Sequence, residues 1–113
     1  MIDSFAFGSM VIDGINYHSD LIVFPDGRVR GSWRRIQGHV LSQQDIEVLV
    51  KTEPTVIVAG SGVNGLMKPE PGLEDFLTEK NIRFVIGPNH QAVQWYNDMY
   101  ERQKVGACFH LTC

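Results

Sequence analysis

The 113-residue chain has no apolar run approaching the roughly 18 residues that a membrane-spanning helix needs. It has no N-x-S/T glycosylation acceptor, and its only cysteines are Cys108 and Cys113. On one extended segment, at roughly 3.3 Å per residue, their Cα atoms lie about 16 Å apart. A disulfide needs less than about 7 Å, so an intrachain bridge is not expected unless the tail turns back. The opening MIDSFAFGSM is neither a charged leader with an apolar core nor an Arg-rich presequence, so no targeting segment is expected. Together these absences predict a reduced, cytoplasmic protein. A basic excess is missing as well. Ten Lys+Arg stand against 13 Asp+Glu, a net charge of −3, which argues against nucleic acid as the main partner. There is no repeat, linker or low-complexity stretch.

What is present is a globular composition. A hydrophobic fraction of 43% over this length predicts one domain, 1–113. Asp13-Gly14, between Val11-Ile12 and Ile15-Asn16-Tyr17, predicts a tight hairpin. Pro25-Asp26-Gly27 predicts a second, joining Leu21–Phe24 to a return strand over Arg28–Trp33. Ser42 followed by Asp45 marks a helix start, with Ile46, Leu49 and Val50 at helical spacing and Pro54 as its stop. Leu73, Phe76 and Leu77 give a short helix with Glu74 and Asp75 in its first turn. Ile82–Ile86 reads as a buried strand. Asn89 is expected to cap a longer helix with Ala92, Tyr96, Met99 and Tyr100 on its apolar face. The last element, from Val105 to Leu111, alternates and is expected to be a strand with one mostly polar face. Strands alternating with helices in the last two thirds predict a sheet with crossover helices, extended or covered by the N-terminal β-hairpins.

The stretch that organises the rest is Thr55–Gly65, TVIVAGSGVNG. Val56-Ile57-Val58-Ala59 is short, β-branched and without alternation, so it predicts a strand buried on both faces. Gly60-Ser61-Gly62-Val63-Asn64-Gly65 matches G-x-G-x-x-G, but Pro69 and Pro71 delay the next helix to about Gly72, and no acid ends the following strand. A P-loop would need lysine where Leu66 stands. A nucleophile elbow would need glycine where Ala59 and Val63 stand. Two readings remain: a tight strand exit needing left-handed φ, or a turn that receives a small anion or a partner's backbone.

Arg28, Arg30 and Arg34 share strand parity, which predicts a basic stripe suited to a phosphate, an acidic partner or a solvated edge. The candidate ligand-binding set is Gly60, Ser61, Gly62 and Gly65, with Arg34 and His39. A metal site needs three or four ligands, and the histidines do not cluster, so none is expected. His39 and His110 as an acid/base pair have only residue type behind them, so no catalytic residue and no cofactor is assigned.

Phe7-Gly8, Ile12-Asp13-Gly14, Tyr17, Asp20, Trp33-Arg34, Gly38-His39, Gly60-Ser61-Gly62, Ala92, Tyr96-Asn97 and the closing His110-Leu111-Thr112-Cys113 carry a resemblance that runs nearly end to end. The chain resembles a family of small bacterial and archaeal proteins that includes the adipogenesis-associated domain protein and a mitochondrial assembly factor for respiratory complex I. The resemblance implies a single three-layer α/β domain with a central mixed sheet, and no established activity or cofactor. Asn89 stands where similar chains have threonine. The expectation is therefore a non-enzymatic interaction or assembly module with an unidentified protein partner. Its surface would use Trp33, the arginine stripe and the loop around Met67. The alternative is a small-molecule or anion-binding protein, an enzyme included, with its site at Gly60–Gly65.

Overall fold

Turn chemistry shapes the first third of the chain. The computed structural model describes residues 1–113. In it β1 (Ile2–Ala6) and β2 (Ser9–Ile12) reverse at Phe7-Gly8, and β3 (Ile15–Tyr17) follows Asp13-Gly14. Asp13 and Gly14 both take positive φ, 50° and 81°, as a two-residue hairpin turn demands. The second predicted hairpin also forms, β4 (Leu21–Val23) pairing antiparallel with β5 (Val29–Arg30). Its return strand stops short of the predicted span: Ser32 takes φ 53° and breaks the regular alternation, although the Trp33 amide still donates to the Asp20 carbonyl at 2.9 Å. Arg34 therefore never shares a strand face with Arg28 and Arg30. Those two stack on the Phe24 ring instead, 5.3 and 5.2 Å from its centroid.

The middle holds β6 (Val40–Leu41), then a 3-10 turn (Gln44–Ile46) running into α1 (Glu47–Val50). The predicted Ser42–Asp45 bracket forms in both directions. The Asp45 amide donates to Ser42 Oγ at 3.3 Å, and the Ser42 amide donates to Asp45 Oδ2 at 2.8 Å. The remaining elements are β7 (Val56–Gly60), β8 (Lys68–Pro69), α2 (Leu73–Glu79), β9 (Arg83–Gly87), α3 (Asn89–Met99) and β10 (Val105–Phe109). β8, which the sequence did not signal, pairs parallel with β6.

The central sheet has the order β5-β4-β10-β7-β9. Its β10, β7 and β9 run parallel, β4 runs antiparallel to β10 and β5 antiparallel to β4, so the sheet is mixed. One face carries Val56, Val58, Ala107 and Phe109 against Ala92 and Tyr96 of α3 and Ile2, Met10 and Ile12 of the β1-β2-β3 sheet. The other carries Ile57, Ala59 and Cys108 against Leu49, Met67, Leu73, Leu77 and Trp33. This is the expected three-layer α/β domain.

Two expectations are corrected here. β10 has no polar face: it lies between β4 and β7, and all five of its residues are buried. Its small alternate residues, Gly106 and Cys108, are small because α1 and the second core press on them, with Leu49 against Gly106. Trp33 and Met67 are core residues, 8% and 0% exposed, and do not belong to any docking surface. Trp33 buries its ring while Nε1 donates to the Asp45 carbonyl at 3.0 Å.

Beyond its core packing, the outer sheet is tied to α3 by one side chain. Asn97 on α3 accepts from the Ile2 amide and donates to the Ile2 carbonyl, both at 2.9 Å, as a neighbouring strand would. Asn97→Ala leaves both groups of Ile2 without these partners. We expect a loss of about 1–3 kcal/mol in denaturant unfolding, with faster amide exchange confined to β1.

Candidate functional site

The parallel strands β7, β9 and β10 end together, at Gly60, Gly87 and Phe109. In open α/β sheets the region beyond such carboxyl ends is the usual binding crevice. Here it is filled by the chain's own residues His110–Cys113. The His110 amide donates to the Gly60 carbonyl at 2.9 Å. The carbonyls of Leu111, Thr112 and Cys113 accept from Gly8, Val63 and Leu66 at 2.8, 2.7 and 3.0 Å.

Asn89 locks this arrangement. It is fully buried at the start of α3, and its side chain caps no helix amide, contrary to the sequence expectation. Its Oδ1 accepts from the Gly62 amide at 3.1 Å, and its Nδ2 donates to the His110 carbonyl at 2.8 Å. The sequence identified the right residue type at a helix start. The burial of two orphan backbone groups nearby diverted the side chain from capping.

The glycine turn is built for that packing. Gly62 has φ 106°, and a Cβ there would lie 2.2 Å from the Cys113 carbonyl carbon. A Cβ on Gly60 would lie 2.3 Å from the Phe109 ring and 2.5 Å from Asn89 Oδ1. The amides of Ser61, Gly62, Val63, Gly65, Leu66 and Met67 all donate within the protein. Only the Asn64 amide is left for a ligand. No helix starts at Leu66; α2 begins at Leu73, so no helix dipole points at the turn. Beside the turn lies a cleft of about 320 Å³, lined in part by Ser61, Asn64, Gly65, Lys68 and Pro88.

Behind His110 sits a buried charge cluster. Arg35, with its side chain 5% exposed, places Nη1 2.9 Å from Asp20 Oδ2. That nitrogen is in ion-pair range but not aligned for a hydrogen bond. The Arg35 guanidinium also lies 4.8 Å over the Trp33 ring, and its Nε donates to the Gly38 carbonyl at 2.9 Å. His110 Nδ1 is 2.8 Å from Asp20 Oδ2 and 3.0 Å from Arg35 Nη2. A carboxylate only accepts, so the network assigns the proton to Nδ1. Nε2 is then free to accept from Thr112 Oγ1 at 3.3 Å. The second Asp20 oxygen accepts from the Leu111 amide at 2.7 Å. Burial by itself would raise the Asp20 pKa. Hydrogen bonds from His110 and the Leu111 amide, with the Arg35 guanidinium beside it, outweigh it and hold the carboxyl below its ordinary range.

Of the candidate residues, Gly60, Ser61, Gly62 and Gly65 meet at this rim. His39 is exposed and sets its ring edge-on to His110 at 5.6 Å. Arg34 is exposed and makes no ion pair, while its neighbour Arg35 occupies the cluster. Strand parity does not relate Arg34 to Arg28 and Arg30, because the left-handed Ser32 interrupts the alternation. Asp20 carries no local signal beyond the family resemblance, because its partners, Arg35, His110 and Leu111, are distant in sequence. Phe7, Ile36 and Leu66 are the exposed apolar residues nearest in sequence to these anchors, at 63, 67 and 48% exposure.

Fold and site together define a three-layer α/β domain whose final segment is clamped across the ends of its parallel strands. A family model described as "Protein of unknown function (DUF498/DUF598)" matches residues 2–110, and the chain belongs to that family. Among solved structures it is similar to the conserved hypothetical protein PH1505 from Pyrococcus horikoshii OT3. The TM-score is 0.90 at 21% identity, over 100% of this chain and 99% of that one. It is also similar to a protein described as MT938, with TM-score 0.84 and 29% identity over 100% and 98%. A third similar structure is described as an outer membrane protein from Bartonella henselae, with TM-score 0.79 and 24% identity over 99% and 94%. In the present chain no helix is long and apolar enough to cross a membrane.

Three outcomes are expected. Asn89→Ala strands two buried backbone groups, so unfolding free energy falls by about 2–4 kcal/mol. The folded-state pKa of Asp20 is depressed, so its contribution is complete above the ordinary carboxylate range and is lost as pH falls through the folded value. In urea titrations Asp20→Asn is therefore less stable at neutral pH, and its stability falls less steeply on acidification than the wild type's. Burial pushes the Cys108 thiol up to about 12. Iodoacetamide at pH 8 should therefore label Cys113 in the native protein, and Cys108 only after unfolding.

Proposed function

We propose that the chain is a non-enzymatic interaction module, an assembly or accessory factor, that docks a protein partner on the rim around His110–Cys113. One observation carries this reading. Two backbone anchors of that segment, at Gly8 and Leu66, and one side-chain contact, from Arg35 to His110, lie at or beside exposed apolar residues, Phe7, Leu66 and Ile36. Apolar side chains held out to solvent around a hydrogen-bonded scaffold suit a protein partner, which removes them from water. The saturated amides behind them suit a fixed shape better than a reactive centre. The resemblance to the complex I assembly factor favours the same class of role. The free thiols Cys108 and Cys113 favour a reducing, cytoplasmic setting.

A second reading is favoured by a different observation. The cleft beside Gly60–Gly65 brings Lys68 and the unspent Asn64 amide near a small opening, which would suit a compact anion. Arg34 and His39 are both exposed and would have to reach that ligand from outside the cleft.

Affinity purification of the tagged protein from its native host, read by mass spectrometry, tests the first reading. A defined partner should be recovered with the wild type and reduced at least roughly tenfold with Phe7→Asp/Leu66→Asp, with circular dichroism unchanged. Equal recovery with both proteins, or no partner at all, would defeat it. A thermal-shift screen against phosphorylated metabolites, nucleotides and flavins serves the second reading, and a flat melting temperature across the set removes it.

A further inference from the structure

We propose that the chain pairs with a second copy of itself through the open edge of its central sheet, β9 against β9′. This surface is the outward edge of β9, distinct from the His110–Cys113 segment, although Ile86 and Gly87 also line the cleft beside the glycine turn. β9 closes one end of the sheet and no strand lies beyond it. On its inner side Arg83 donates to the Thr55 carbonyl and Gly87 accepts from the Ser61 amide. Strand alternation then turns Val85 inward too and points the N–H and C=O of Phe84 and Ile86 outward. Neither residue has a backbone partner on that side.

The two ends of the edge are already finished. The Ile82 amide donates to the Leu77 carbonyl, and Pro88 has no N–H, while its carbonyl accepts from Gln91 and Ala92. The edge therefore presents donors at Phe84 and Ile86 alone, in register with their own carbonyls. A two-fold axis through Val85, perpendicular to the sheet, sets Phe84 opposite Ile86′ and Ile86 opposite Phe84′. Each outward N–H then meets an outward C=O, and no donor of either strand is left over.

The side chains agree with this register. Phe84, Val85 and Ile86 are only partly buried, whereas the interior strand β7 is buried throughout. Pairing places Val85 beside Val85′ on the α3 face and Phe84 beside Ile86′ on the α2 face, apolar against apolar. The one charge on β9, Arg83, falls opposite Gly87′ and meets no like charge. Edge strands that stay solitary carry charges along the edge, an inward charge, a bulge or a proline; β9 has one charge, Arg83 at its first position, and none of the other three. The two-fold keeps α2 with α2′ and α3 with α3′, so both outer layers continue across the joint.

Sedimentation equilibrium of the full chain from low to high micromolar concentration is the primary test. A monomer–dimer equilibrium is expected, with Ile86→Pro monomeric throughout, since proline removes an N–H that has no partner inside the protein. Hydrogen exchange on the wild type decides the matter if that variant fails to fold. The Phe84 and Ile86 amides should slow at least roughly tenfold as concentration rises, while exposed loop amides stay constant. A wild type that stays monomeric overturns the proposal. So does a dimer in which those two amides exchange at the monomer's rate, or their protection only when a different protein is added.

Discussion

A chain that leaves a sheet must still satisfy its backbone, and His110–Cys113 does so against several separate parts of the molecule. After β10 the ladder ends, yet the segment stays packed against Gly60 and Gly62 rather than entering water. Burial then obliges each N–H and C=O to find a partner or be destabilising by a kcal/mol or more. Asn89, Asp20, Gly8, Val63 and Leu66 supply those partners. The glycines at 60 and 62 follow from the same requirement, because any Cβ there would meet Phe109 or Cys113 at well under contact distance. The G-x-G spacing is thus explained by a close backbone approach, and the approaching backbone is the chain's own.

This explains what was legible in the sequence and what was not. Strands, turns and the order of elements rest on short-range patterns, so Asp13-Gly14, Val56–Ala59 and the α2 face could be read directly. The failures share a different cause. Arg34 was preferred to Arg35 because parity assumes an unbroken strand, and a single left-handed residue, Ser32, breaks it. β10 appeared half-polar because glycine and cysteine look like a solvent face. In a central strand the same small residues make room for a covering helix. Asn89 was read as a helix cap because the residues that claim its side chain, Gly62 and His110, lie 27 and 21 positions away. Long-range demand overrode local preference in each case.

The Asp20–Arg35–His110 cluster raises a separate energetic question. Removing a carboxylate and a guanidinium from water costs several kcal/mol per ion, and their attraction recovers this only when further hydrogen bonds complete the geometry. Asp20 is completed well, by His110, Arg35 and the Leu111 amide. Arg35 is completed less well, since Nη1 lacks an aligned acceptor and Nη2 faces the protonated side of the imidazole. Stacking on Trp33 and the Gly38 carbonyl offset part of that deficit. A cluster so arranged adds little net stability, but it is hard to satisfy in any other packing of these segments. Its value lies in specifying one position for the 35–38 loop and one for His110.

That specification bears on the choice between enzyme and docking module. Asp20, His110 and Thr112 fall in the order carboxylate, imidazole, hydroxyl, an arrangement that in other settings activates a nucleophile. Here the same imidazole nitrogen faces the Asp20 carboxylate at 2.8 Å and the Arg35 guanidinium at 3.0 Å, so ring and carboxylate are tied to a third group. The hydroxyl is also only two residues from the histidine, at 3.3 Å, a separation that local chain geometry produces without any catalytic requirement. The same groups serve a structural role without conflict: the carboxylate holds the ring and the Leu111 amide, the ring meets the threonine, and the C-terminal segment is fixed where Phe7 and Leu66 stand exposed on either side of it. That fixed geometry is what the proposed docking platform rests on.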